Sequence, residues 1–139
     1  MTVNVLLITH NDVGSALLEA ATNTLGFCPL TAEILSIPSH CDPESTVRNA
    51  QEKIHELDHG EGVLILTDIY GSTPSNIACA LSGNENVRII SGINLPMLIR
   101  VLNYPKLELD ELVLKAISGG REGIMDCISH VLAQEPARE

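Results

Sequence analysis

Tryptophan is absent from this 139-residue chain, and one phenylalanine with two tyrosines brings the aromatic content to only 2%. Hydrophobic residues nevertheless make up 45% of it, so the core must be built from Leu, Ile, Val and Ala, which favours helices packed on a parallel sheet. Positive charge is also scarce: 8 Lys and Arg stand against 18 Asp and Glu, a net charge of −10. That balance disfavours nucleic acid or an anionic membrane as main partner and leaves room for a protein partner with a basic face. Cys28, Cys41, Cys79 and Cys127 form no CxxC pair, which argues against a zinc ribbon or a thioredoxin-type motif and for reduced thiols in a cytosolic protein. No basic region precedes the first apolar run, and that run soon meets His10, Asn11 and Asp12. It reads as neither signal peptide nor membrane span, so a cytoplasmic location is expected, without direct membrane insertion.

What the chain does have is a regular alternation of strand and helix signals. The stretch VNVLLITHNDVG opens with a buried strand, Val3 to Ile8, whose lack of polar alternation suits a strand covered on both faces. It runs into a polar turn, Thr9 to Asp12, and then into helical spacing at Val13, Leu17, Leu18, Ala21 and Leu25, with Gly26 as the stop. A second strand spans Ala32 to Ile37. Asp42 caps, and Pro43 opens, a helix to about Leu57 with Val47, Ala50, Ile54 and Leu57 inward. Val63 to Leu66 is a third strand, followed by a polar turn and a short helix, Pro74 to Leu81, capped by Ser72 or Thr73. Val87 to Ile90 is a fourth strand, and Pro96 opens a helix through Leu102. From Leu107 the chain reads as helix with a break near Gly119 and Gly120.

With no repeat and no low-complexity linker, this order predicts a single α/β domain: a doubly wound, mainly parallel sheet of about four strands with helices on both faces. Ligands in such sheets bind beyond the carboxyl ends of the strands, at the reversal of winding. If the first and third strands are neighbours there, their ends lie about 4.8 Å apart and His10 faces Asp68. A carboxylate that fixes the tautomer of an imidazole leaves the other ring nitrogen free to attack phosphorus, and it stabilises the cation that forms. The turn Gly71, Ser72, Thr73 offers backbone N–H groups at a helix N-terminus and two hydroxyls to the phosphoryl oxygens. No metal and no cofactor is needed for that chemistry.

Each feature has a bland reading as well. His10 alone fits a satisfied core histidine, Asp68 a helix cap, and Gly71 to Pro74 an ordinary turn; only their combination favours chemistry. His55, His59 and His130 read as solvated, and His40 with Cys41 as loop rather than a metal pair. The segment from Gly92 to Met97 either turns the chain or lines the edge of the crevice.

The two turns THNDVGSALLEAA and LTDIYGSTPSNIA, with SGINLPML downstream, resemble the IIA phosphocarrier domain of the mannose family of the bacterial phosphoenolpyruvate-dependent sugar phosphotransferase system. The resemblance implies a IIA domain over residues 1–133, with 134–139 a frayed tail. It implies a phosphotransferase component in which His10 accepts a phosphoryl group from the histidine-containing phosphocarrier protein and hands it to a IIB protein for sugar uptake. Asp68 would be the orienting acid and Thr73 the hydroxyl residue beside the proline, with Ser72 where many members have glycine. It further implies a homodimer and an added antiparallel strand near the C-terminus, where the residues themselves read as helix. Because no IIB segment follows, the acceptor is expected on a separate chain. Two other functions remain open: a regulatory module whose His10 phosphorylation state is read by a partner, and an aspartyl-phosphate receiver using Asp68.

Overall fold

In the computed structural model, which describes residues 2–134, the chain alternates β1 (Asn4–His10), α1 (Val13–Leu25), β2 (Ala32–Ile37), α2 (Pro43–Leu57), β3 (Val63–Thr67), α3 (Thr73–Cys79), β4 (Val87–Ile90) and α4 (Leu95–Leu102). Two further helices, α5 (Leu109–Glu122) and α6 (Cys127–Gln134), complete it. The four strands are parallel, in the order β2-β1-β3-β4. The chain moves from β1 to β2 and then crosses back over β1 to β3, so the winding reverses between β1 and β3. Right-handed crossovers then require α1 on one face and α2 with α3 on the other. The core divides accordingly: Val5, Leu7, Leu64 and Leu66 pack with α4 and α5, while Leu6, Ile8, Val63 and Ile65 pack with α2 and α3. The unalternating apolar runs of β1 and β3 follow from this, since both faces of the two central strands are covered.

Local signals act as expected at several ends. Asp42 accepts from the Ser45 amide at 3.3 Å and Pro43 opens α2. Asn94 caps α4, accepting from the Met97 amide at 2.9 Å, and its own amide group donates to the Gly120 carbonyl at 3.1 Å. β1 reaches two residues beyond the expected Ile8, because Thr9 and His10 continue the ladder opposite Ser36 and Ile37.

The expected break at Gly119 and Gly120 does not occur; α5 runs unbroken to Glu122. These two buried glycines serve helix packing instead. A Cβ at Gly119 would lie 2.6 Å from Arg100 Cβ, and one at Gly120 2.9 Å from Met97 Cε. α4 therefore lies against the bare backbone of α5, and the Arg100 guanidinium reaches Glu122 at 2.8 Å. Gly119→Ala should destabilise the fold by up to about 2 kcal/mol: overpacking costs ~1–3 kcal/mol and better helix propensity returns only ~1. Urea denaturation checks the sign, which would be opposite if the helices were free to separate.

The stretch read as helix from Leu107 forms α5 and α6, parted by the non-helical residues 123–126 just beyond Gly120, and among the described residues no fifth strand joins the sheet. Of the expected frayed tail, residues 135–139 lie outside the described residues, as does the side chain of His130.

Candidate functional site

The pairing of Ile8 with Thr67 sets the ends of β1 and β3 side by side; His10 follows two residues beyond Ile8 and Asp68 one beyond Thr67. His10 Nδ1 lies 2.9 Å from Asp68 Oδ2. The His10 backbone N–H donates to the same oxygen at 3.0 Å, and the Ile69 N–H donates to Oδ1 at 3.0 Å. The Asp68 side chain is only 11% exposed, whereas that of His10 is 39% exposed and reachable from solvent. Burial by itself raises the Asp68 carboxyl, but the bonds from the His10 amide and imidazole outweigh it and hold the group below its ordinary range. An ionised carboxylate only accepts, so Nδ1 is the protonated nitrogen and Nε2 keeps its lone pair.

The turn behind His10 is tightly built. Asn11 takes a φ of 43°, a left-handed conformation that asparagine tolerates better than most residues, and its N–H donates to the Ile37 carbonyl at 3.1 Å. The Gly14 N–H donates to the buried Thr9 hydroxyl at 2.8 Å. From the other side, the Gly92 and Ile93 amides donate to the carbonyls of Asp68 and Thr67 at 3.1 and 3.0 Å, so the segment after β4 is stitched to the site strand. From the sequence, Thr9 and Asn11 belong only to a polar turn, and the helix start from Asp12 to Gly14 is expected to offer N–H donors to a phosphoryl group; the Gly14 amide is instead committed to Thr9. A glycine in the first turn of a helix that follows a strand was the available signal, since it marks a close backbone approach.

In the second turn, Gly71 has a φ of 84° and its N–H donates to the Ser75 hydroxyl at 3.3 Å. The Ser72 hydroxyl donates back to the Ile69 carbonyl at 2.5 Å, so it braces the loop at rest. Among the described residues, the Thr73 amide and hydroxyl make no hydrogen bond within the chain, and Thr73 is exposed. Val13, expected as part of the inward stripe of α1, is 42% exposed, and in the second turn Ile69 is 61% and Tyr70 80% exposed. His40, His55 and His59 are exposed. Among the described residues no group of three or more His, Cys, Asp or Glu side chains is placed to hold a metal ion, and no helix is long and apolar enough to cross a membrane.

The sequence profile of EIIA-man, described as "PTS system fructose IIA component", where PTS is the phosphotransferase system, matches residues 4–117. The chain belongs to the EIIA-man family. It is 32% identical over 127 residues to the PTS system mannose-specific EIIAB component of Escherichia coli K12, a match covering 89% of this chain. The chain spans 39% of the length of that relative. It is 28% identical over 137 residues to the PTS system fructose-specific EIIA component of Bacillus subtilis, covering 93% of this chain and 89% of the other. The crystal structure of the phosphotransferase system component EIIA from Streptococcus agalactiae superposes with a TM-score of 0.78 at 25% identity, covering 91% of this chain and 98% of that one. As an EIIA-man domain the chain is a phosphotransferase component, and His10 and Asp68 stand at the carboxyl ends of β1 and β3, where a doubly wound sheet places its ligands.

Proposed function

We propose that this IIA component carries a phosphoryl group on His10 Nε2, taking it from the phosphohistidine of the histidine-containing phosphocarrier protein and passing it to a IIB protein. The observation that carries this reading is the contact of His10 Nδ1 with Asp68 Oδ2 on a side chain that is 39% exposed, which favours the tautomer with its lone pair on Nε2. In the transfer, the Nε2 lone pair forms the new N–P bond as the donor's N–P bond breaks, its electrons returning to the donor nitrogen. No proton has to move. The imidazole becomes cationic, and the Asp68 carboxylate offsets that charge through Nδ1–H. Thr73 supplies the first donors to the phosphoryl oxygens, because its amide and hydroxyl are uncommitted; Gly71 and Ser72 add theirs by exchanging the internal partners described above.

In this reading residues 1–133 form the IIA domain, the protein works on the cytoplasmic side, and uptake and phosphorylation of a sugar consume the phosphoryl group. The test is intact mass after incubation with phosphoenolpyruvate and the two general proteins of the system. The expected result is an acid-labile gain of about 80 Da, one phosphoryl group, lost again on addition of a IIB acceptor. No gain, with the carrier itself shown to be phosphorylated, overturns the reading; a gain retained in the presence of every IIB protein encoded by the source genome favours the regulatory module.

The reading also includes a homodimer. Ile124, Met125, Ile128, Val131 and Leu132 are each at least half exposed, and a cleft of about 390 Å³ beside the edge strand β4 is lined by Ile89, Ile90, Ile117 and Ile124. Apolar surface of this extent is normally covered. Sedimentation equilibrium should give twice the mass of the 14.9 kDa chain, and Ile128→Glu should shift it toward the monomer.

A further inference from the structure

We propose that Thr9 is a positioning residue for phosphoryl acceptance, its buried hydroxyl setting where α1 begins and thereby where the His10 ring sits; this rests on the phosphohistidine reading above. Thr9 is fully buried, next to last in β1. Its hydroxyl takes the Gly14 N–H at 2.8 Å and so closes the loop that contains His10, Asn11, Asp12 and Val13. At its start the loop is held by the His10 bonds to Asp68 and the Asn11 bond to Ile37; the Thr9 hydroxyl ties down its far end. Asp12 stands at the N-cap position of α1 but makes no side-chain bond to it, and Asn11 is held at its left-handed φ by one backbone bond to Ile37. The capping role that falls to the residue at a helix start is taken here by the strand before the loop.

The fit admits no looser alternative. A Cβ at Gly14 would lie 2.7 Å from Thr9 Oγ1 and 3.3 Å from Leu7 Cβ, so only glycine lets the helix start come this close. The consequence reaches the reactive group through the backbone: the His10 N–H and the His10 imidazole converge on one oxygen, Asp68 Oδ2. Shifting the loop moves both together. Without the Thr9 bond the ring spends time away from Asp68, and the tautomer with the proton on Nε2 becomes populated, in which Nε2 has no lone pair to attack phosphorus.

The test compares Thr9→Val, which keeps the shape and removes the acceptor, with Thr9→Ser, which keeps the acceptor. Single-turnover transfer from the phosphorylated carrier protein should fall about tenfold at saturating carrier in Thr9→Val, with the half-saturating concentration unchanged. The ¹⁵N spectrum of its His10 should show mixed tautomers in place of Nδ1–H. Thr9→Ser should stay within about twofold of wild type. A Thr9→Val protein with wild-type rate and imidazole spectrum, or a Thr9→Ser protein as slow as Thr9→Val, overturns the proposal. Should Thr9→Val not fold, amide exchange in the wild-type protein decides: Gly14 is expected to exchange more slowly than Ser15, and equal exchange overturns it. His10→Ala in the same assay keeps the two readings apart, because acceptance by that variant would sink the phosphohistidine assignment itself, whereas an inert His10→Ala beside an unaffected Thr9→Val removes only the role of Thr9.

Discussion

His10→Ala, incubated with phosphoenolpyruvate and the two general proteins of the system, gains no phosphoryl group and remains folded. Loss of function should be complete, because Nε2 is the attacking atom and the loop around it offers no substitute nucleophile of comparable strength. Folding should persist because the His10 side chain is 39% exposed and lies outside both apolar clusters. Asp68 keeps its two backbone donors, the amides of residue 10 and Ile69, so no bare carboxylate is left behind. Circular dichroism and denaturant titration on the same sample check the second half of this statement. A phosphorylated His10→Ala would move the acceptor elsewhere in the chain.

Asp68→Ala should still accept the phosphoryl group, but on the order of 10⁴-fold more slowly, the loss seen when a catalytic imidazole loses the carboxylate that sets its tautomer. The nucleophile remains, while its orientation and the counter-charge to the imidazolium are lost. Rate measurement under single-turnover conditions separates this from the complete loss in His10→Ala; equal inactivity of the two variants would mean that Asp68 does more than orient. The same carboxylate ties stability to pH. Burial raises it, yet the donors from His10 outweigh burial and its net position in the folded state is below the ordinary value. Folding therefore favours the ionised form, and the stability it contributes is fully present above the ordinary carboxylate range and lost as pH falls through the lowered native value. The stability difference between wild type and Asp68→Asn should accordingly be flat above about pH 5 and shrink on acidification below about pH 4. A difference that grew on acidification would place Asp68 in its neutral form.

Two features of the second turn explain why Ser72 can occupy a position where a glycine was the expectation from the resemblance. Its backbone is extended, with φ −84° and ψ 173°, so a side chain costs nothing there, whereas the neighbouring Gly71 at φ 84° does require glycine. The Ser72 hydroxyl then turns inward to Ile69. The departure thus stiffens the loop at rest without blocking the approach to Thr73.

The order of strands and helices was legible from the sequence because its signals are local. The apolar runs of β1 and β3 report burial on both faces, Asp42 with Pro43 marks a helix start by a bond made within four residues and Pro96 marks another, and the polar residues that end β1 and β3 single out His10 and Asp68. The sequence left the adjacency of β1 and β3 as a condition; the strand order β2-β1-β3-β4 of the tertiary structure brings those two residues together. What only the tertiary structure decided are contacts between segments distant in the chain. Gly119 and Gly120 look like a helix break until α4 is laid against them, since a missing Cβ reads alike whether it frees a backbone or admits a neighbour. Val13 continues the stripe of α1 but is 42% exposed. Which ring nitrogen of His10 is free, and which donors of the Gly71 to Thr73 turn are already engaged, depend on hydrogen bonds 2.5–3.3 Å long. Residue types and spacing set which groups meet at the end of this sheet; the direction of each bond among them is set by packing.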